Sequence, residues 1–396
     1  MELSRRSFVK SVGALTAGAV AVGLATAGDT GARGEVLAPP GAASSQQFAP
    51  RRDDGAAEAL PANAFSIFWI TDTQFLSEAN PALFRMMTEW IARNWEKHQG
   101  KLVIHTGDLV QTGSDTVQWG NADEAMSILL NNSIPYTWCA GNHDDLSLND
   151  STSGWMGSRL ATSLDPAAVG AMVNALPYAQ WVGDYHDAMN TAIAFTAGGL
   201  KLLVINIEWS AEPDALAWAE SILDNPLYAD YRVILAPHAY IDSSGDLQQS
   251  QAEQIDTFTS GLTYLLTSYS RRVFLTLNGH FPTDCGYNTP SPVDGHNDLM
   301  FDRQDCTDGA DEPTGRGADD QTSNDSDRIG GSTITILTFM PDDNKIAVKT
   351  FDLYKGGWRT GQTEQYLIDM FAYPVTTTSV HPVIGTASGT LPPLQS

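Results

Sequence analysis

Asp72-Thr73-Gln74, Gly107-Asp108 and Gly141-Asn142-His143-Asp144 each follow a short apolar run, and His238 and Gly279-His280 follow two more. Carboxylate, carboxamide and imidazole groups in that mixture suit hard or borderline divalent ions, and a carboxylate can bridge two of them. Paired ions about 3.5 to 4 Å apart can activate a water and neutralise the charge that grows on a phosphoryl group during in-line displacement. A single Gly-Asp or Asn-His-Asp is more often a turn or a helix cap than a ligand set. The ordered series points to a metal-dependent phosphohydrolase, because open α/β sheets bind ligands along the edge where their strands end.

The runs that must position these groups read as strands: Phe65 to Ile70, Leu102 to Ile104, Tyr136 to Cys139, Val233 to Ala236 and Val273 to Leu277. Between them, Leu83, Phe84, Met87, Trp90, Ile91 and Trp95 recur at helical spacing over Pro81 to His98. Pro81 suits a first helical turn. Further helices are expected over Val117 to Leu130, Pro213 to Leu223 and Leu247 to Thr267, and a turn then a strand over Gly198 to Ile207. Ser332 to Phe339 and Lys345 to Phe351 read as a strand pair joined by Pro341-Asp342-Asp343-Asn344. This alternation argues for a layered α/β fold. Pro282 to Gly331, crowded with Asp, Gly, Asn and Thr, reads as a long loop. Its acidic part, Asp302 to Asp327, lacks the spacing of an EF-hand and reads mainly as a solvated loop that could border the mouth of a site. His105 reads as a packed histidine or one that backs a ligand, and His98, His186 and His381 as surface or loop residues. Trp69, Trp90, Trp95 and Trp119 are expected to pack in the core.

The ordered motifs resemble those of the calcineurin-like metallophosphoesterase superfamily, whose signature reads Asp-x-His, Gly-Asp, Gly-Asn-His-Asp/Glu, a lone His, then Gly-His-x-His. The chain looks closest to a bacterial branch whose first motif is Asp-Thr-Gln, as at Asp72-Thr73-Gln74. Trp90-Ile91, His105-Thr106-Gly107-Asp108, Gln118-Trp119 and Pro237-His238-Ala239-Tyr240 echo that branch, and the resemblance runs from Phe65 to about Phe351. It implies a four-layer α/β/β/α sandwich with two mixed β-sheets and a site for divalent ions (Mn, Zn, Fe or Mg), two in the family. Carried over residue by residue, Asp108 would bridge both ions, and Asn142, His238 and His280 would complete one site. Asp72 would serve the other, with the family's two histidines falling at Gln74 and Pro282. Gln74 retains an amide oxygen and Pro282 offers no side-chain donor, which leaves the second ion open, with Asp284, Asn278 and His296 as unranked substitutes. His143 resembles the family's leaving-group acid, with Asp144 orienting or electrostatically supporting its imidazole. The expected substrate is a small phosphate monoester or diester. A degenerate relative that keeps one metal and binds a phosphorylated ligand without hydrolysis is the alternative reading.

Asp and Glu outnumber Lys and Arg 47 to 22 in 396 residues, a formal charge of −25. That repels duplex nucleic acid, while a small phosphate ester remains compatible because bound cations reverse the local field. Ser4-Arg5-Arg6-Ser7-Phe8-Val9-Lys10, the weakly apolar Val12 to Leu24 and Ala25-Thr26-Ala27 resemble a twin-arginine export signal cleaved after Ala27. The apolar stretch falls short of the ~20 residues that a membrane-spanning helix needs. The expected organisation is a signal peptide over 1–27, a flexible linker over 28–63, one domain over 64–375 and a disordered tail over 376–396. The twin-arginine translocase would then handle the folded chain, placing it in the periplasm, at the cell surface or outside the cell, with no transmembrane segment in the mature chain. Among 3 cysteines, Cys139 falls within a strand, and Cys285 and Cys306 lie in loop-like sequence where they could pair after export.

Overall fold

The computed structural model describes residues 60–144, 157–242, 247, 253–281, 287–290, 295–304, 331–353, 356–359 and 364–371. The expected leader and tail lie outside these residues, as do positions 28–59 of the expected linker and Pro282, Asp284, Cys285, Cys306 and His381. The first half of the chain forms β1 (Phe65–Ile70), α1 (Gln74–Ala79), α2 (Pro81–Asn94), β2 (Gly100–His105), α3 (Thr116–Asn131), β3 (Tyr136–Trp138), α4 (Gly157–Leu160), α5 (Pro166–Asn174), β4 (Ala179–Tyr185) and β5 (Asn190–Ala197). There follow β6 (Leu200–Ile207), α6 (Pro213–Leu223), β7 (Arg232–Pro237), α7 (Glu253–Ser268), β8 (Val273–Asn278), β9 (Tyr287–Pro290), β10 (Asn297–Met300), β11 (Thr333–Met340), β12 (Lys345–Asp352), β13 (Gly357–Trp358) and β14 (Gln365–Asp369).

Local chemistry accounts for where the main helices begin. Pro81 and Pro213 occupy first-turn positions of α2 and α6, where a missing N–H costs nothing. The Asp115 side chain caps α3 by accepting from the Val117 and Gln118 amides. Helix α2 buries Leu83, Phe84, Met87, Trp90 and Ile91, the face that the spacing predicts, and it ends at Asn94 rather than His98.

Two seven-stranded sheets result, ordered β13-β12-β11-β1-β2-β3 with β14 on β12, and β4-β5-β6-β7-β8-β10-β9. Both are mixed. Parallel pairing joins β1 to β2 and β3 in one sheet and β6 to β7, β8 and β10 in the other. Antiparallel strands complete the flanks. Period-two alternation sorts the side chains of β6 and β7. Leu203, Ile205, Ile207, Val233 and Leu235 join a cluster with Leu216, Ala219, Leu262 and Leu266 of α6 and α7. Leu202, Val204, Ile234 and Ala236 face the opposite way, into a core shared with the other sheet. Strand β1 is sorted likewise: Phe65 meets Phe195 of β5 edge-on, while Phe68 stacks on Trp95 at 5.5 Å and meets Trp90 of α2. The architecture is the four-layer α/β/β/α sandwich, with each sheet covered by helices on its outer face.

Polar bonds also tie the sheets together. Thr137 Oγ1 lies 2.7 Å from Thr191 Oγ1, and the Asn206 side-chain amide donates to the His105 carbonyl at 3.1 Å, all buried. The segment expected as one long loop carries β9 and β10. Four-residue strands are too short to display periodicity, and β10 is made by its parallel pairing with β8, a non-local partner. The hairpin β4–β5 also gave no clear sequence signal, since β4 is largely half-exposed. Among the described residues no helix is long and apolar enough to cross a membrane.

Candidate metal centre

The parallel strands of both sheets deliver their C-terminal ends to one region. Asp72 follows β1, Asp108 follows β2, Asn142 and His143 follow β3, His238 follows β7 and His280 follows β8. Asp72, Asp108 and His280 adopt φ of 51°, 55° and 76°, a left-handed backbone that non-glycine residues seldom hold and that clusters at functional sites. Glycines clear the space around them. A Cβ on Gly107, itself at φ 99°, would come within 2.6 Å of His238 Nδ1. On Gly141 a Cβ would collide with the Asp108 carboxylate, and on Gly279 with the Asp72 carboxylate and the Thr71 hydroxyl.

Ligand atoms of Asp108, His238 and His280 lie within 4.8 Å of one another. His238 Nε2 sits 3.5 Å from Asp108 Oδ2 and 3.1 Å from Asn142 Oδ1. Its Nδ1 lies 2.7 Å from the Thr106 carbonyl, which can only accept, so Nδ1 carries the proton and Nε2 is the donor atom aimed at the centre. His280 Nδ1 is buried with no hydrogen-bond partner among the described residues. Asp72 accepts the Thr71 hydroxyl at 2.6 Å and the His280 backbone N–H at 3.1 Å. Gln74 is fully buried at the start of α1 and donates from Nε2 to Asp108 Oδ2 at 3.2 Å and to Gln304 Oε1, while its own Oε1 has no partner among the described residues.

Charge is poorly balanced by these groups alone. Burial, reinforced by the nearby Asp108 charge, raises the Asp72 carboxyl to about 7. The same two causes raise Asp144 to about 8. Burial also pushes Asp108 upward, but the charge of His238 prevails and holds it at about 2. His238 is drawn the opposite way: Asp108 overcomes burial and raises it to about 9. His280 falls to about 3, through burial and then the charge of His238. Three buried carboxyls share little more than one imidazolium, which is an arrangement a divalent cation relieves. The donor set, the orphaned Gln74 oxygen and the orphaned His280 nitrogen therefore fit a divalent metal, with Asp108, Asn142, His238 and His280 to hold it and Asp72 and Gln74 alongside.

His143 is half-exposed beside this cluster. Its backbone N–H donates to Asp108 Oδ1 at 2.9 Å, and its ring Nδ1 donates to the Gln111 carbonyl at 3.1 Å. Asp144 takes partners other than the imidazole expected for it. It is fully buried and accepts from the Leu109, Val110 and Gly141 amides at 2.8, 3.0 and 2.8 Å. It thus ties the loop after β2 to the loop after β3, because bare backbone N–H groups at a turn bind the nearest buried carboxylate more readily than a ring that faces solvent does.

Of the other histidines, His105 is buried, accepts from the Gly107 amide at Nδ1 and lies 3.0 Å from Thr73 Oγ1, and burial lowers it to about 3. It packs beneath the ligand loops. His296 pairs with Asp298 at the start of β10, the end remote from the centre, so it is no substitute ligand. Asn278 donates to Thr276 Oγ1 and the Leu299 carbonyl, and its buried Oδ1 has no partner among the described residues. His186 is only half-buried, yet its hydrogen bond to Glu208 raises it to about 9.

Two residues at the site escaped the sequence reading. Trp209 follows β6 and its ring lies 4.2 Å from that of His280, centroid to centroid. Gln304 follows β10 and reaches Gln74. Asp302, at the head of the segment read as solvated, is fully buried and holds Gln304. The strand-end rule that found the other residues would have found Trp209, since β6 was legible. Gln304 depended on recognising β10.

A family profile described as calcineurin-like phosphoesterase matches residues 65–284. The chain belongs to the calcineurin-like phosphoesterase family. It is therefore one of a family of phosphoric ester hydrolases. Over 182 residues it is 29% identical to the uncharacterized protein YvnB of Bacillus subtilis (strain 168), an alignment covering 46% of this chain and 13% of that protein. The chain thus spans a small part of the length of that relative. Similar solved structures include the purple acid phosphatase PPD1 from yellow lupin (Lupinus luteus) seeds, with a TM-score of 0.46 and 14% identity over 78% of this chain and 54% of that one. Another is the sulfate thiohydrolase SoxB of Thermus thermophilus, with a TM-score of 0.34 and 10% identity over 80% of this chain and 58% of that one.

Proposed function

We propose that this calcineurin-like phosphoesterase is an exported hydrolase of small phosphate monoesters or diesters that uses a divalent-metal centre. The observation that carries the reading is the convergence of Asp108, His238 and His280 within 4.8 Å, with Asn142 beside them and half-exposed His143 on the adjoining loop. Divalent ions bound there would lower the pKa of a water and neutralise charge on the phosphoryl group. The chain's own residues do the rest. Asp108 orients the His143 loop through the backbone N–H bond, and the Gln111 carbonyl fixes the proton on Nδ1. In its imidazolium form His143 then presents an Nε2 proton to a leaving oxygen, the work of a general acid. Asp144 keeps the two loops in register.

The test measures metal content and hydrolysis of p-nitrophenyl phosphate and bis-p-nitrophenyl phosphate with added Mn, Zn, Mg or Ca. Turnover by the parent is expected, with kcat falling about 10²–10⁴-fold in His143→Gln at unchanged metal content. Absence of turnover across a broad ester panel by metal-loaded chain overturns the reading. One observation favours the single-metal binding protein as a second reading: Gln74 turns an N–H, not an oxygen, toward Asp108. One bound ion with tight phosphate binding and no turnover would establish it. Export rests on Arg5-Arg6 and the apolar stretch after them. Retention of an Arg5→Lys, Arg6→Lys double variant in the cytoplasm is expected, and normal export of that variant would refute this part.

A further inference from the structure

Two imidazoles serve the centre, and they are held in different ways. The Thr106 carbonyl accepts from His238 Nδ1 at 2.7 Å, which fixes the rotation of that ring. The His280 ring makes no such bond among the described residues, and its Nδ1 is buried without a partner. Backbone fixes only where the His280 side chain starts, through a left-handed φ of 76° and an amide that donates to the Asp72 carboxylate at 3.1 Å. The ring itself is packed among other rings. Trp209 lies 4.2 Å away, centroid to centroid, with the planes 37° apart; Phe281 lies 4.5 Å away at 78° and His238 5.1 Å away at 69°. Of these, Phe281 is the next residue in the chain and His238 is itself a ligand. Trp209 comes from a different strand end, after β6, and also meets His238 edge-on at 5.8 Å.

The indole stands on an anchored backbone. The Trp209 amide donates to the Ala140 carbonyl at 3.0 Å, and the Ala140 amide donates to the Met189 carbonyl at 2.9 Å. Ala140 directly precedes Gly141-Asn142, so the bonds that seat Trp209 also seat the loop that carries Asn142. Glu208, one residue before Trp209, is buried; its amide donates to Asn190 Oδ1 at 2.9 Å, and its carboxylate lies 2.7 Å from His186 Nδ1. His186, Asp187 and Ala188 hold φ of 51°, 52° and 72° in the turn between β4 and β5. Trp209 is half-exposed, yet its place is fixed by its own backbone bond and by a buried neighbour that is bonded through backbone and side chain alike.

We propose that Trp209 is a positioning residue of the metal centre: its indole, seated by Glu208 and Ala140, holds the His280 ring in the orientation that serves a cation, the task that the Thr106 carbonyl performs for His238. An aromatic face suits this task for a second reason. A cation that draws electrons from an imidazole leaves that ring more positive, and the quadrupole of an aromatic face attracts positive charge, an indole more than a phenyl ring and an alkyl chain not at all. The contact therefore favours the metal-bound state over the empty one, and its loss is read as metal affinity. The inference deepens the metal-centre reading above and rests on it.

The experiment is calorimetric titration of Zn into the full chain after chelation, for the parent, Trp209→Leu and Trp209→Phe, together with the visible absorption spectrum of each chain saturated with Co, whose bands report coordination geometry. Thermal unfolding in chelator reports whether each variant folds. Trp209→Leu is expected to weaken the tightest Zn event about 10–100-fold and to alter the Co bands even at saturation, which lost stability alone would not do. Trp209→Phe, which keeps a flat ring of weaker quadrupole, is expected to lose about 3–10-fold and to keep Co bands close to those of the parent. If the leucine variant does not fold, the phenylalanine variant carries the test, and parent affinity in it overturns the proposal. Parent affinity with unchanged Co bands in a folded leucine variant overturns it as well, as does a phenylalanine variant that falls as far as leucine. A parent that binds no Zn defeats the metal-centre reading and this inference with it, whereas a parent that binds Zn with an affinity indifferent to Trp209 defeats this inference alone. Binding needs no turnover, so a chain with Trp209-dependent Zn affinity that hydrolyses nothing upholds the inference and defeats the hydrolase reading.

Discussion

Asp108 Oδ2 is met by two differently built sides of the centre, His238 Nε2 at 3.5 Å and Gln74 Nε2 at 3.2 Å. On the imidazole side the donors are aimed by backbone. The Thr106 carbonyl fixes the His238 ring, and left-handed residues after β2 and β8 turn the chain at Asp108 and His280. On the carboxamide side the aiming passes through side chains, from Asp302 to Gln304 to Gln74. Backbone held in a sheet edge has one conformation, whereas a relay of side chains has rotamers to lose at every link. The two sides should therefore differ in how tightly and how selectively they hold a cation.

The largest expected effect comes from breaking the imidazole side. His238→Ala leaves Asp108 buried beside an empty space, costing about 3–5 kcal/mol in denaturant unfolding performed in chelator, and it should abolish the tightest metal event. Gln74→Ala should cost only about 10–100-fold in the affinity of the weaker ion and leave the tightest intact. Equal losses from the two substitutions would erase the distinction.

The pH dependence of metal affinity is the next largest. A metal needs both ligands deprotonated. His238, raised to about 9, loses its proton only as pH climbs toward that value, so affinity on the imidazole side should rise by up to about tenfold per pH unit until pH reaches about 9. Carboxamides do not titrate, and on the other side only Asp72, raised to about 7, competes with a proton, so affinity there should level off near that pH. Titrations at pH 6, 7, 8 and 9 that show a single shared plateau would contradict the two-sided description.

The smallest effect serves as a control. Asp115→Ala removes the cap of α3, whose bonds go to the Val117 and Gln118 amides rather than to a ligand residue, and should cost about 1 kcal/mol and lower Tm by no more than about 4 °C. Metal affinities that moved in this variant would mean that stability alone shifts them, and the contrast between the sides would need to be measured at matched stability.

Much of this is legible in the sequence. Helix α2, the strands that end at Asp72, Asp108, Asn142, His238 and His280, and the hairpin of β11 and β12 all announce themselves through local apolar runs, proline at a helix start and a turn at Pro341 to Asn344. Asn344 in that turn takes a left-handed φ of 54°, which asparagine tolerates. What stayed hidden depended on distant partners. Strand β10 exists because β8 offers it a parallel edge, and Gln304 reaches the centre only because β10 exists. Sequence adjacency points Asp144 to the His143 ring, but its bonds go to Leu109 and Val110 across the fold as well as to Gly141.

The sequence by itself determined the residue types of the centre, their order at strand ends, and the layered α/β class, because strand, helix and turn preferences are local and the motif glycines record close approaches. Only the tertiary structure decided which nitrogen of His238 faces Asp108, which way the Gln304 amide points, and that Asp302 is buried rather than solvated. Those are matters of which groups meet across two sheets, and a one-dimensional pattern carries no information about the partner a buried polar atom will find.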